Sequence, residues 1–197
     1  MCRFVESLCV IDGKVFNSEA HQERVNGVFK RFFPGADILD LEKIPFSPPE
    51  NGKWKWRIEY DGRAYKSEFI SYKARKISSI KLIEINFSYE YKYADRSTID
   101  ESIKTLPPGC AAIFIKNGYA TDCSFANLAL YDGLEWQTPH TPLLRGARRQ
   151  LLLNKGRIVE KPVKASALAG YQRISFINAM LDLDESSLNI SPETLLR

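Results

Sequence analysis

The sequence predicts an α+β fold in which short strands outnumber helices. Three observations support this: many segments alternate apolar and polar residues, tight Asp-Gly and Asn-Gly turns separate them, and only a few stretches have helical periodicity. Runs of short strands with few helices favour an α+β architecture with a barrel-like C-terminal part. We place the domain boundary between an N-terminal α+β domain, residues 1–76, and a C-terminal domain, residues 77–197.

The N-terminal part begins with a predicted β-hairpin followed by an amphipathic helix. Asp12-Gly13 between two apolar runs is typical of a two-residue hairpin turn. Asn17 or Ser18 can cap the helix that follows. The predicted elements are strands at 3–10 and 15–16, a helix at 21–33, and strands at 39–44, 53–60, 64–72 and 77–87.

The C-terminal part is predicted to consist mainly of short strands joined by tight turns. Asn117-Gly118 and Asp132-Gly133 are further hairpin turns between apolar runs. The predicted elements are a helix at 98–106, strands at 111–116, 119–121, 127–131 and 134–137, a helix at 147–153, a strand at 158–162, a short helix at 166–171 and a buried strand at 174–181.

Composition and charge exclude several classes of protein. The chain has 197 residues, 44% apolar and 26% charged, which is typical of a globular domain. The net charge of +4 is small, and a nucleic-acid surface would need Lys and Arg clustered on one face or in a run. No segment approaches the ~20 apolar residues that span a bilayer, and the N-terminus has no signal-peptide pattern. We therefore expect a soluble, cytoplasmic protein without nucleic-acid or membrane partners.

The cysteines and histidines do not have the spacing of a metal site. The chain has four cysteines, and no two of them have the C-x-x-C spacing of a metal or redox site. We predict buried, reduced thiols at these positions. The two histidines, His21 and His140, are too few and too far apart in sequence to suggest a metal cluster.

The stretch from residue 53 to residue 76 mixes Lys and Arg with aromatic residues and has two interpretations. One is a half-buried antiparallel hairpin whose outer positions are solvated. The other is a basic interaction module for nucleic acid, whose binding would weaken with salt. The period-2 alternation favours the hairpin.

Four short motifs in the C-terminal part contain side chains suited to catalysis. Lys92 stands between two tyrosines, where partial desolvation would lower its pKa and free its amine for Schiff-base chemistry. Asp122 and Asn127 follow a predicted strand, and Asn178 ends another. Gly146 opens a helix, whose first N–H groups and positive dipole end favour a phosphate. Taken singly, each motif also fits a surface lysine or an ordinary turn.

The order and spacing of these motifs resemble the signature set of the class IV aminotransferases, which include branched-chain aminotransferase, D-amino acid aminotransferase and 4-amino-4-deoxychorismate lyase. Residues 4–13 resemble the first hairpin of this family, and residues 21–25 resemble its H-x-x-R-L helix start. The resemblance implies fold type IV, with a small N-terminal α/β sandwich and a C-terminal barrel-like β domain with helices. It also implies pyridoxal 5'-phosphate as cofactor and a homodimer.

The resemblance implies a role for each matching residue. Lys92 matches the lysine that holds the cofactor as a Schiff base and acts as general base and acid. Arg24 matches the arginine that binds the cofactor phosphate, and Asp122 stands where the family has a Glu paired with the pyridinium nitrogen. The other cofactor-binding matches are Asn127, then Gly146, Ala147 and Arg148 at the family's G-I-T segment, and Asn178 and Ala179 at the lyase-type N-A-L segment.

The motifs favour one reaction and leave two alternatives. The segment 178–180 is most similar to the lyase, which predicts release of pyruvate and 4-aminobenzoate from an amino substrate. Transamination of an amino acid, of the D-amino acid or branched-chain type, shares every step up to the carbanion. Ser97, where branched-chain enzymes have a Tyr, argues against that substrate group. Asp122 in place of Glu and Arg148 in place of Thr motivate the second alternative, a degenerate, non-catalytic cofactor-binding protein.

Overall fold

The computed structural model describes residues 2–196, and contacts within this range divide the chain into two compact units. The N-terminal unit runs to residue 73 and includes residues 91–95, and the C-terminal unit comprises residues 74–90 and the chain from residue 96 onward. The sequence-based division placed residues 77–197 in one domain, whereas in the structure residues 91–95 group with the N-terminal unit. Lys92 therefore shares a unit with Arg24.

The helices and strands are assigned as follows within residues 2–196. The N-terminal unit contains β1 (Phe4–Ile11), β2 (Lys14–Phe16), α1 (Ser18–Phe32), a 3-10 helix (Leu41–Lys43), β3 (Lys53–Tyr60) and β4 (Tyr65–Ser71). The C-terminal unit contains β5 (Ser79–Glu84), α2 (Ser97–Ile103), β6 (Cys110–Lys116), β7 (Tyr119–Cys123), β8 (Asn127–Tyr131), β9 (Trp136–Pro139), α3 (Ala147–Asn154), β10 (Val159–Lys161), a 3-10 helix (Ala165–Gly170), β11 (Arg173–Ile177), β12 (Ser187–Asn189) and β13 (Leu195–Leu196).

The N-terminal unit is built on an antiparallel sheet with the strand order β2-β1-β3-β4. Its core combines apolar side chains of β1 and β3 with the stripe of α1 formed by Val25, Val28 and Phe29. These side chains are almost fully buried, and burial of each contributes about 1.5–3 kcal/mol. The apolar stripe of the helix therefore fixes which face of α1 packs in this core.

The first predicted hairpin is confirmed. Asp12 and Gly13 have φ values of 47° and 76°, the left-handed pair that a two-residue turn between twisted strands requires. The Asp12 carboxylate also accepts a hydrogen bond of 2.9 Å from the Gly52 amide. The turn is therefore tied to the chain just before β3.

Two local predictions in the N-terminal unit are wrong in their details. Asn17 does precede α1, but its φ is 58° and its side chain makes no capping hydrogen bond. The strand predicted at 39–44 is instead a loop with a 3-10 turn, because the Asp40 side chain accepts from the Glu42 amide. Gln22 of α1 also accepts a hydrogen bond from the Leu41 amide, which competes with a strand partner for that donor.

The hairpin interpretation of residues 53–76 is confirmed by the pairing of β3 with β4. Trp56, Ile58 and Tyr60 alternate along β3 and are buried. Arg57 points to the other face, where it forms ion pairs with Glu59 and Glu68. Arg57, together with Lys53 and Lys55 at alternate positions of β3, thus belongs to the less buried face of a half-buried sheet.

The C-terminal unit contains a mixed sheet, which has nine strands among the described residues. Its main path runs β10-β9-β8-β7-β6-β5-β13, and β11 pairs with β8 and β12. The pairs β5–β6, β5–β13 and β9–β10 are parallel, and the others are antiparallel. The predicted α+β class is confirmed, although β12 and β13 were not predicted because each has only two or three residues.

The structure also tests the predicted turn at Asn117-Gly118 and the predicted burial of the cysteines. The Asn117-Gly118 turn is confirmed, with φ values of 53° and 77°. Cys9 and Cys123 are buried as predicted, but the prediction is wrong for Cys2, which is exposed. Among the helices described in residues 2–196, none has the length and apolar character needed to cross a membrane.

Two glycine substitutions should show the effect of backbone conformation on stability without a change in packing. A methyl group at Gly27 or at Gly13 would meet no atom within 4 Å, but only Gly13 has a positive φ. We expect Gly27→Ala in α1 to raise the free energy of unfolding by about 0.5–1 kcal/mol. We expect Gly13→Ala to lower it by about 1–2 kcal/mol. Urea denaturation of the two variants beside the wild type measures both, and equal effects would contradict the prediction.

Candidate active site

The residues predicted to form the site divide between the two units. Arg24 and Lys92 belong to the N-terminal unit. The C-terminal unit contains Asp122, Asn127, Gly146, Ala147, Arg148, Asn178 and Ala179.

In the N-terminal unit, Arg24 is bound to a buried carboxylate that the sequence analysis missed. Glu6 of β1 accepts a hydrogen bond of 2.8 Å from Arg24 Nε on one oxygen and a very short one from Arg24 Nη2 on the other. The second oxygen also lies 2.6 Å from His21 Nδ1. Glu6 and His21 are each only 1% exposed. A lone glutamate in the apolar run of β1 was the signal that could have found this cluster.

Burial and neighbouring charges act in opposite directions on Glu6. Burial by itself raises the pKa of Glu6, but the charge of Arg24 and the hydrogen bonds from Arg24 and His21 outweigh it and hold that pKa well below its usual range. Burial lowers the pKa of His21, and the charges of Arg24 and Lys92 add to this effect, against the opposing pull of Glu6. Glu6 is therefore ionised and His21 neutral at neutral pH.

Lys92 is held beside β1 by backbone hydrogen bonds. Its carbonyl oxygen accepts from the Val5 amide at 2.9 Å, and the Ala94 amide donates to the Arg3 carbonyl at 2.8 Å. The two flanking tyrosines pack into the aromatic cluster of this unit, with Tyr91 against Phe32 and Tyr93 against Phe4. Lys92 itself is half-buried. This matches the aromatic environment expected from the sequence.

In the C-terminal unit, Asp122 and Asn127 are paired across the bend between β7 and β8. Asn127 Nδ2 donates to Asp122 Oδ1 at 2.7 Å and to the Leu144 carbonyl at 2.8 Å. The Leu144 amide donates to Asp122 Oδ2 at 2.8 Å, and the Gly146 amide donates to Asn127 Oδ1 at 3.1 Å. The pair therefore holds the loop that leads into α3. The five-residue separation of Asp122 and Asn127 places the two side chains opposite each other across the bend, where they can hold this loop together.

Glycine is required at position 146 because a side chain there would collide with a neighbour, and not because of its backbone conformation. Its φ of −72° and ψ of 142° are accessible to any residue. A Cβ atom at this position would, however, fall on the Oδ1 atom of Asn127. The amides of Arg148 and Arg149 in the first turn of α3 have no acceptor within the helix, and the positive end of the helix dipole lies there. This part of α3 is suited to an anion.

Burial dominates the ionisation of Asp122. It raises the pKa of Asp122 to about 7, against the opposing effects of the hydrogen bonds from Leu144 and Asn127 and the charge of Arg149. The hydrogen bonds from Asn127 and Leu144 use two of the roughly four acceptor positions of the Asp122 carboxylate. A cationic ring nitrogen beside Asp122 would favour the ionised form.

Arg148 connects α3 to the turn that follows β11, and Asn178 connects the same turn to the bend after β7. Arg148 donates to the Asp182 carboxylate at 3.1 Å and to the Ala179 carbonyl at 3.3 Å. Asn178 donates to the Phe125 carbonyl at 3.2 Å and accepts from the Met180 amide. The guanidinium that replaces the family's Thr is thus bonded to the neighbouring turn, and its buried Nε has no hydrogen-bond partner in the structure.

The arrangement in each unit fits a phosphorylated aromatic cofactor. The N-terminal unit holds Arg24 on Glu6 and brings Lys92 near enough to act on the pKa of His21, so two cationic side chains lie in this region. The C-terminal unit offers a buried carboxylate, the first amides of α3 and the buried Arg148 Nε. Within residues 2–196, no group of three or more His, Cys, Asp or Glu side chains is arranged to hold a metal ion.

Comparison with known proteins identifies the family. No protein-family profile matches the chain. A Haemophilus influenzae protein described as uncharacterized is 30% identical over 181 residues, which cover 89% of this chain and 96% of that one. The crystal structure of a proposed 4-amino-4-deoxychorismate lyase from Haemophilus somnus 129pt is 28% identical, with a TM-score of 0.84 over 91% of this chain and 97% of that one. The chain belongs to the class IV aminotransferase family.

More distant class IV aminotransferase structures share the fold. A proposed amino-acid aminotransferase from Mesorhizobium loti is 15% identical, with a TM-score of 0.77 over 93% of this chain and 97% of that one. A hypothetical aminotransferase from Mycobacterium tuberculosis in its pyridoxal-phosphate-bound form is 17% identical, with a TM-score of 0.68 over 96% of this chain and 84% of that one. The predicted fold type IV is confirmed, and enzymes of this fold use pyridoxal phosphate.

A methyl group at Gly146 should disrupt the loop before α3. We expect Gly146→Ala to lower the free energy of unfolding by about 1–3 kcal/mol, because the new Cβ displaces Asn127 and breaks its bond to the Gly146 amide. Urea denaturation checks this. Gly170→Ala is the matched control, since a methyl group there meets nothing within 4 Å and should change stability by less than about 0.5 kcal/mol. Similar losses in both variants would contradict the steric argument.

Asp122 should make the cofactor-free protein less stable as the pH rises. The pKa of Asp122 is raised from 3.8 to about 7, so its contribution to stability is present at low pH and is lost as the pH rises toward 7. Relative to Asp122→Asn, the wild type should lose about 1.4 kcal/mol per pH unit between pH 5 and 7, and the difference should level off above pH 7. Urea titrations of both proteins from pH 5 to 8 measure it. A difference that does not vary with pH would show that Asp122 titrates normally.

Proposed function

We propose that this chain is a pyridoxal-phosphate-dependent enzyme that acts on an amino compound, with 4-amino-4-deoxychorismate lyase-like activity. The observation that carries the proposal is the likeness to the Haemophilus somnus protein, which spans nearly both chains at 28% identity. The likeness of segment 178–180 to the lyase motif supports it, and Asn178 and Arg148 connect that segment to the bend after β7 and to α3. The products would be pyruvate and 4-aminobenzoate.

The phosphate of the cofactor would be held by cationic and backbone donors. Arg24 would supply the guanidinium, which Glu6 holds by two hydrogen bonds. Gly146, Ala147 and Arg148 would supply the start of α3, where amide groups and the helix dipole favour an anion. Asn127 fixes this segment through its bond to the Gly146 amide.

Asp122 would hold a proton on the ring nitrogen of the cofactor. When bound, pyridoxal phosphate supplies an electron sink for the α-carbon of the substrate. The Asp122 carboxylate is buried and kept in place by Asn127 and Leu144, so a nearby ring nitrogen would be its charged partner. The Asp122 side chain is shorter than the Glu of the family, and each of its two oxygens accepts a hydrogen bond. Asn127 therefore positions the carboxylate as well as the loop.

Lys92 would anchor the cofactor and move protons. Its Nζ would be the covalent attachment point and, when released by the substrate amine, would accept the α-proton and later return a proton. The backbone bonds of residues 92 and 94 to β1 keep this lysine on a rigid element. Tyr91 and Tyr93, on either side of it in the chain, pack against Phe32 and Phe4 in the aromatic cluster of this unit. A homodimer and a cytoplasmic location remain predictions.

Replacement of Lys92 tests the anchor. We expect the wild type with added pyridoxal phosphate to show a visible absorption band that borohydride converts into a covalent adduct. Lys92→Ala should abolish both the band and the adduct, because no amine remains at that position. The exposed Lys81 offers a control, and Lys81→Ala should behave as the wild type does. A persistent adduct in Lys92→Ala, located by peptide mass spectrometry, would overturn the assignment.

A second assay tests the reaction. We expect the cofactor-loaded protein to release pyruvate from aminodeoxychorismate without any added keto acid. If product forms only when a second keto acid is supplied, the protein is an aminotransferase and the lyase proposal is wrong. If the cofactor binds but neither reaction occurs, the degenerate, non-catalytic alternative is correct.

A further inference from the structure

The Glu6, His21 and Arg24 cluster contains a histidine whose protonation state is dictated by its neighbours. The ionised Glu6 Oε2 lies 2.6 Å from His21 Nδ1, and a carboxylate can only accept a hydrogen bond. Arg24 Nη2 also lies 3.4 Å from Nδ1, but the much shorter contact with the carboxylate decides the tautomer, so the proton of a neutral His21 is on Nδ1. His21 Nε2 is then an unprotonated acceptor, and it is buried without a hydrogen-bond partner in the structure.

The same carboxylate fixes the plane of the Arg24 guanidinium. Bonds from Nε and Nη2 to the two oxygens of Glu6 form a two-point contact, which removes rotation about the end of the side chain. Arg24 is 14% exposed, so its side chain extends from the buried carboxylate toward the surface. The amine-bearing Lys92 is near enough for its charge to lower the pKa of His21.

We infer that Glu6 is a positioning residue, which orients the Arg24 guanidinium toward a phosphate group and holds His21 as the neutral, Nδ1-protonated tautomer. This inference rests on the proposed function for the identity of the ligand of Arg24. Stability alone is a weak reason for such a buried ion pair, because the cost of removing two charges from water offsets most of their attraction. In the structure, the edge of the guanidinium formed by Nε and Nη2 binds Glu6, and this contact fixes the orientation of the whole group.

The tautomer is measured first and needs no cofactor. The chain has two histidines, so the ring nitrogens of a ¹⁵N-histidine-labelled sample give two sets of signals, and His140→Gln assigns them. We expect His21 at pH 7 to be neutral with its proton on Nδ1. In Glu6→Gln the amide can donate as well as accept, so this preference should be lost. A wild-type His21 that is protonated, or that has its proton on Nε2, would overturn the inference.

The phosphate role is measured by comparing pyridoxal phosphate with pyridoxal, which lacks the phosphate. We expect Glu6→Gln to raise the Kd for pyridoxal phosphate about tenfold, which corresponds to the loss of one oriented charge-assisted hydrogen bond, and to leave the Kd for pyridoxal almost unchanged. Glu59→Gln is the matched control. Glu59 also pairs with two arginines, but on β3 and away from His21, so its loss should not alter the ratio of the two Kd values.

A purely structural role for Glu6 predicts a different result. It would weaken the binding of both ligands equally, and that result would overturn the inference. If Glu6→Gln does not fold, Glu6→Asp retains the charge but is too short for the two-point contact, and we expect it to reduce the preference for the phosphorylated ligand about threefold. If the wild type binds neither ligand, the proposed function fails together with the phosphate role, whereas the tautomer result still decides the link between Glu6 and His21.

Discussion

The hydrogen-bonded pair of Asp122 and Asn127 is the interaction on which the C-terminal site depends. It closes the bend between β7 and β8 and also holds the loop that precedes α3 through Leu144 and Gly146. Two buried side chains thereby satisfy backbone groups of a segment some twenty residues away in sequence. The position of the helix start, and with it any anion that binds there, follows from this pair.

Two buried carboxylates, Glu6 in the N-terminal unit and Asp122 in the C-terminal unit, show how the surroundings of a group decide its ionisation. Both are almost fully buried, and burial alone would raise the pKa of each. Glu6 has a guanidinium in direct contact and stays ionised, whereas Asp122 is bonded mainly to neutral donors and its pKa is raised to about 7. The comparison indicates that a full opposite charge compensates for lost hydration, and neutral hydrogen bonds do so only in part.

The departure from the family pattern at residue 148 has a structural counterpart. Where the family has a Thr hydroxyl, Arg148 spans from α3 to Asp182 and Ala179. The guanidinium can make contacts at a distance that a hydroxyl cannot reach, so it joins two segments that both match cofactor-binding motifs. The substitution therefore exchanges a short polar contact for a connection between elements.

The sequence alone determined most of the local structure and predicted which residues form the candidate site. The Asp12-Gly13 turn, the apolar stripe of α1 and the alternation in β3 all depend on neighbouring residues, so their patterns could be read directly. Motif spacing similarly singled out Lys92 and Asp122. The tertiary structure alone decided the role of Glu6, because its partners His21 and Arg24 lie on another element and strand periodicity does not encode them. It also decided the 3-10 turn at residues 41–43, since the Leu41 amide, which a strand would need as a donor, donates a long-range hydrogen bond to Gln22 instead.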